Sequence, residues 1–228
     1  MSRIDQLIAD LAPQGVPHKP LGELGEFIRG RRFTKADYVD SGLGSIHYGE
    51  IYTHYGTTAA SVHRFVRSDL KGSLRLARPG DLVIAATGEN VQDVCKAVAW
   101  LGEEEVAVHD DCYIFRHEQD PTFMAYFFQS ARFHDQKAKY ASESKLARVS
   151  GANLAKIVAP APPLAVQREI VSVLDRLSAL QADLEAELTA EIQARREQFV
   201  HYRDSLLTFE ADLSLSLSLG ERPVDHVE

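Results

Sequence analysis

The chain has 228 residues, 45% hydrophobic and 25% charged, with a formal net charge of −8. That balance suits a globular domain, alone or with an appendage, and no apolar run approaches the ~18 residues of a membrane span. Arg3, Asp5 and Asp10 interrupt any leader-like start, and Cys95 and Cys112 lack metal-ligand spacing or a disulfide framework, so a reducing cytoplasm is the expected compartment.

In chain order, Ile4, Leu7, Ile8 and Leu11 predict a short amphipathic helix that Pro13, Gly15 and Pro17 end. From about 20 to 117 the texture is strand-like. The β-prone runs are GSIHYGEIYTHY (44–55), VHRFV (62–66), GDLVIAAT (80–87), KAVAWL (96–101) and CYIFRH (112–117). Turns are expected at Pro79-Gly80, at Gly88-Glu89-Asn90 and at Gly102-Glu103. Asp120-Pro121 opens a helix with a strong apolar stripe to about residue 133, and a polar stretch follows (134–150). Another short helix or turn is expected to begin at Ser150 or Asn153, ahead of Pro160, Pro162 and Pro163.

After Pro163 the texture changes. Ile170, Leu174, Leu177, Leu184, Leu188, Ile192 and Phe199 belong to a stripe recurring every three or four residues as far as Leu206. The stripe predicts one nearly straight helix of roughly 60 Å, at 1.5 Å per residue. Such a helix cannot bury its stripe on a small domain and must find a partner. The LSLSLSL run (213–219) alternates but is also low in complexity, so the tail is expected to be flexible.

Charge is uneven along the chain. Residues 1–150 hold 18 Lys and Arg against 20 Asp and Glu, whereas residues 151–228 hold 7 against 13. Acidity therefore gathers in the second part, and the near-neutral front leaves room for a local basic face on which DNA could bind. One candidate face is FIRGRRFTKADY, where Arg29, Arg31, Arg32 and Lys35 surround Gly30 and Phe33. Guanidinium groups pair bidentately with phosphate or with a guanine edge, although a solvated basic loop would have the same composition. A second candidate holds Lys137, Lys139, Lys145 and Arg148 among Tyr140, Ser142 and Ser144. Asn90 is a third and weaker one, since an adenine reader and a turn residue look alike there.

Chemistry is harder to find. No phosphate loop or dinucleotide-binding glycine turn occurs. His109-Asp110-Asp111-Cys112 collects ligand-type side chains, but neighbours on a strand point to opposite faces, so no metal site is expected. His47 and His54 lie among Tyr48, Tyr52 and Tyr55 without a partnered nucleophile, which favours a recognition surface over catalysis.

In this order the pieces resemble the DNA-specificity (S) subunit of type I restriction–modification systems. The resemblance is carried by IDQLIADLAPQGVPHKPLGELGEFIRGRRFTKADY, IHYGEIYTHYG, PGDLVIAATGENVQDVCKAVAWLG and SKLARVSGANLAKIVAPAPPLAVQREIVSVLD, and then by the helix ending FVHYRDSLLTF. It implies a mixed α+β fold. A globular α/β target-recognition domain (1–160) would be followed by a long α-helix (161–209) serving as an antiparallel helical spacer, and by a tail (210–228). It also implies a non-catalytic subunit that reads one half of a bipartite site in double-stranded DNA. Such a subunit directs methylation and restriction by partner methyltransferase subunits and, indirectly, a restriction subunit. No cofactor is implied for this chain; S-adenosylmethionine, ATP and magnesium are implied only for the partners. Full S subunits carry two recognition domains and two helices, whereas this sequence holds one of each. Homodimerisation through the helix is the implied solution, with a palindromic split site. A structural coiled-coil adaptor or an inactive truncated fragment is the alternative.

Overall fold

A computed structural model describes residues 2–142 and 146–208. The first helix, Arg3–Leu11, starts at a capping box: Asp5 N donates to Ser2 Oγ at 3.2 Å and Ser2 N to Asp5 Oδ2 at 2.8 Å. The centre of the domain is the strand Cys112–His117, paired antiparallel with Gly25–Arg29 on one side and Leu82–Ala85 on the other. Leu82–Ala85 pairs antiparallel with Ala97–Trp100, which takes Thr58–Ala59 in parallel at the sheet edge. Both Leu82–Ala85 and Ala97–Trp100 are buried at every position. A strand covered on two faces has no solvent side, which is why these segments read as continuous apolar runs.

The two faces separate with period two. Leu82, Ile84, Ala97, Ala99 and Phe115 enter one core with the helix Pro121–Gln129. Val83, Ala85, Val98, Trp100 and Ile114 enter a second core with Ile51, Val106 and Val108. Val106–Val108 belongs to another five-stranded sheet, ordered Tyr38–Val39, Arg64–Val66, Leu43–Ile46, Val106–Val108, Leu76–Ala77. Within it Leu43–Ile46 and Val106–Val108 run parallel, and the other pairs are antiparallel.

One ion pair ties the sheets together. Arg116 Nη2 donates to Asp81 Oδ2 at 2.8 Å and to Leu76 O at 3.1 Å, and Asp81 is 4% exposed. Asp81→Ala would leave the guanidinium half-buried without its counter-ion and release Arg78 N, which donates to Asp81 Oδ2 at 2.9 Å. The expected cost is about 3 kcal/mol, seen as a Tm lower by about 6–12 °C in calorimetry.

Two segments differ from the sequence reading. The β-prone run 44–55 is a strand only to Ile46, and Tyr48–Thr53 is helical. His47 causes the switch: its Nδ1 accepts from Gly49 N at 3.2 Å while Glu50 Oε2 accepts from His47 N at 2.9 Å, a local capping box that outweighs β-propensity. The helix from Pro121 stops at Gln129, and a second one runs from Ala131 to Ala138. Ser130 makes the break, donating to Phe127 O at 2.7 Å and accepting from Phe133 N at 3.2 Å.

The proline segment is a strand before it is a joint. Val158–Pro160 pairs antiparallel with His18–Pro20, closing the start of the domain onto its end. The long helix, Leu164–Leu207, then runs 44 residues, about 66 Å at 1.5 Å per residue. Its first turns belong to the domain. Gln167 is fully buried, accepting from Asp120 N at 2.8 Å and donating to Gln119 Oε1 and Pro162 O at 2.7 Å each. Ile170 packs, partly buried, on the first core, so its own domain takes up much of the surface expected for an intermolecular face. The compact unit accordingly ends at Leu174, fourteen residues beyond the expected boundary at 160, and a second unit begins at Asp175.

Candidate nucleic-acid interface

The basic loop 29–35 is held by its backbone. Gly30 N donates to Cys112 O at 3.0 Å and Arg31 N to Val108 O at 2.9 Å. A Cβ on Gly30 would lie 2.1 Å from His109 O and 2.4 Å from Val108 O, so only glycine permits this approach. Arg29 Nε donates to Asp110 O at 2.9 Å, and its guanidinium carbon lies 6.0 Å from the Tyr113 ring centroid. Arg31 Nη1 donates to Ser73 O at 3.0 Å. Phe33 is buried, with its ring edge-on to Tyr38 and to His109. Arg29, Arg31, Arg32 and Lys35 are thereby exposed on a backbone that cannot easily move.

Long-range pairing brings the two basic candidates together. The short strand Ala147–Arg148 pairs with Thr87–Gly88, with Arg148 opposite Thr87, which brings Arg148 to the same cleft as Arg29. Both line one cleft of about 340 Å³ with Tyr113, Tyr140, Ser142 and Asn153. Unengaged guanidinium edges beside hydroxyls and an amide can grip a phosphate or read a guanine edge. Lys139 is exposed at the end of the helix Ala131–Ala138. Lys145 lies outside the described residues, as does the LSLSLSL run.

Two expected contacts are corrected. Lys137 is 1% exposed, and its ammonium donates to Gln92 O and Val94 O at 2.8 Å each, so it fastens the 88–94 segment from beneath and cannot meet a backbone phosphate. Burial also lowers its pKa. Asn90 is exposed, but its Oδ1 accepts from Asp93 N at 2.8 Å and its Nδ2 donates to the Asp93 carboxylate, so the amide closes its own turn.

Sequence reasoning missed Arg64. It points outward from the strand Arg64–Val66, over the Tyr38 ring at 5.3 Å, with Nε 3.5 Å from the buried Glu50 Oε1. Lys35, His54 and Arg64 line a second cleft of about 340 Å³ at the far end of the basic loop. Strand periodicity offered no signal for it: Arg64 and the buried Val66 fall on the same face by period two, and exposure simply falls along Arg64–Val66. Tyr48, Tyr52 and Tyr55, by contrast, pack against the second core. Both cysteines are buried, and burial pushes the Cys95 thiol up to about 12 and Cys112 well above its usual range, so neither is poised as a nucleophile.

In the second unit, Leu177, Leu184, Leu188, Ile192 and Phe199 are each more than half exposed, together with Leu180 and Leu206. Polar i,i+4 contacts flank this stripe, such as Arg195 Nε to Glu191 Oε1 at 2.7 Å. Large apolar side chains exposed in a row mark an interaction surface. Among the described residues, no helix is long and apolar enough to cross a membrane.

Known proteins match most of the chain. The family profile described as type I restriction modification DNA specificity domain covers residues 13–194. The candidate type I restriction enzyme specificity subunit S.HindORF215P of Haemophilus influenzae is 39% identical over 189 residues, 83% of this chain and 47% of that protein. The EcoR124I/EcoR124II specificity subunit of Escherichia coli is 45% identical over 62 residues, 27% of this chain and 14% of that protein. Among solved structures, the HsdS subunit of Thermoanaerobacter tengcongensis aligns with TM-score 0.54 and 17% identity, over 80% of this chain and 44% of that one. A chain from a study of complex assembly and conformational transition in the type I R-M system aligns with TM-score 0.63 and 19% identity, over 91% of this chain and 52% of that one. The chain thus spans about half the length of the Haemophilus relative.

Proposed function

We propose, from the premise that the chain belongs to the type I restriction modification DNA specificity family, that it reads one half of a bipartite DNA site and does no chemistry itself. Methylation and restriction would be performed by partner subunits in the cytoplasm. The observation that carries this reading is the convergence of Arg29 and Arg148 on one polar cleft, continued by exposed Arg31, Arg32 and Lys35 on a fixed backbone. Phosphate contacts would set the register, and the guanidinium edges in the cleft would supply base discrimination.

The exposed stripe from Leu177 to Leu206 supports pairing with a second such helix. A second copy of this chain would supply it antiparallel, and the two readers would then face a site with twofold symmetry. Methylome sequencing of cells carrying this chain with its modification subunit tests the reading. An interrupted palindrome that depends on the chain is expected. If no methylated motif depends on it, DNA reading is rejected; a dependent but asymmetric motif rejects identical paired readers. The exposed stripe by itself also favours a purely structural adaptor, which predicts self-association with no preference among DNA sequences.

A further inference from the structure

His109 and Asp111 are two residues apart in the turn between Val106–Val108 and Cys112–His117, and His47 begins the helix Tyr48–Thr53. The fold brings them together: one ligand atom from each lies within 4.8 Å of the others. The expectation of no metal at this acidic run rested on neighbours pointing apart, but residues two apart in a turn can share a side.

The His109 ring has a defined orientation. Its Nε2 lies 3.2 Å from Phe33 O, and a carbonyl only accepts, so Nε2 carries the proton. Nδ1 then faces acidic groups, 3.1 Å from Asp110 Oδ1 and 3.7 Å from Asp111 Oδ2, and it accepts from Asp111 N at 3.4 Å. A lone pair turned toward two carboxylates is repulsive unless a cation sits among them. A proton on Nδ1 would relieve His109 alone. A divalent ion would also engage His47, whose ring centroid is 4.5 Å from that of His109. The His47 ring accepts from Gly49 N through Nδ1, so it presents a lone pair on that nitrogen. Ligation through its Nδ1 would release only the 3.2 Å contact from Gly49 N; the 2.9 Å bond from His47 N to Glu50 Oε2 would remain.

We propose that His47, His109 and Asp111 bind a divalent transition-metal ion of the zinc type. Two imidazoles and one carboxylate suit zinc, nickel or cobalt far better than magnesium or calcium, and water would complete the coordination. The Phe33 carbonyl behind His109 is the kind of outer contact that orients a ligating imidazole. The ion would brace the turn whose carbonyls hold the basic loop, through Asp110 O to Arg29 and Val108 O to Arg31. Metal binding is independent of the DNA reading proposed above.

The test is calorimetric titration of zinc chloride into the full chain after chelator treatment and dialysis, with the visible spectrum of cobalt(II) as a second readout. One zinc per chain is expected. Asp111→Asn and His47→Asn should each weaken it by at least about tenfold. Asparagine at 47 can still cap the helix, and Asp111 is partly exposed, so both metal-free variants should melt like the parent. His54 and His63, stacked 3.7 Å apart, are the rival pair, and His54→Gln should leave zinc binding unchanged. The proposal is overturned if the folded chain takes up no zinc, if binding is undiminished in both ligand variants, or if it is lost in His54→Gln.

Discussion

Replacing Arg29 and Arg148 together with alanine is expected to weaken binding to the cognate duplex by at least about 30-fold, given ~1–3 kcal/mol for each bidentate contact. The salt dependence should also become shallower by about one unit of slope for each phosphate that is no longer neutralised. Because both side chains line one cleft, the two losses should couple, and the single variants will not sum to the double. Arg31→Ala and Lys145→Ala should each cost less, on the scale of a single phosphate contact. Fluorescence anisotropy across a salt series measures all five variants. Unchanged affinity and slope in the double variant would remove this cleft from the interface. Gly30→Ala should act through position alone: a methyl group at 2.1 Å from His109 O forces the loop outward and moves both Arg29 and Arg31.

Leu184→Glu with Leu188→Glu is expected to convert a dimer to monomers in sedimentation equilibrium. Both positions are more than half exposed in the described chain, so the change costs the single chain little, and glutamate keeps the helical backbone favourable. In a twofold assembly each substitution counts twice. Four buried leucines removed at ~1.5 kcal/mol each amount to about 6 kcal/mol, a factor of roughly 10⁴ in dissociation constant, before charge repulsion is added. A variant that stays dimeric would place the interface elsewhere. A parent chain that is monomeric at working concentrations would mean that the stripe meets a helix other than its own copy.

Much of the local structure was legible because its causes are local. The helix Arg3–Leu11 follows from its apolar spacing and capping residues, Pro121–Gln129 from Asp120-Pro121, and Cys112–His117 from a β-prone run. The long helix could be read to within a few residues, since a 3.6-residue repeat sustained over so many turns keeps its apolar residues on one side only if the backbone stays helical throughout. The β-prone reading of 44–55 failed at His47, where one ring nitrogen and Glu50 built a cap that no β-propensity scale contains.

The candidate site was legible only in part, because composition reports which charges exist and not what they touch. Lys137 and Lys139 look equivalent in sequence, yet two carbonyls of the 88–94 segment hold the first and solvent meets the second. Arg64 looked like part of a strand and stands beside the basic loop.

By itself the sequence determined the mixed α+β character, the long spacer-like helix and the resemblance to DNA-specificity subunits, since each rests on periodicity or on residue order along the chain. Tertiary structure alone decided that Arg29 and Arg148 line one cleft, that Ile170 packs against the domain core, and that His47 joins His109 and Asp111. Those outcomes depend on strand pairing and helix packing between segments far apart in sequence. Pairing of that kind is set by the burial of whole faces and by backbone hydrogen bonds, neither of which a local pattern records.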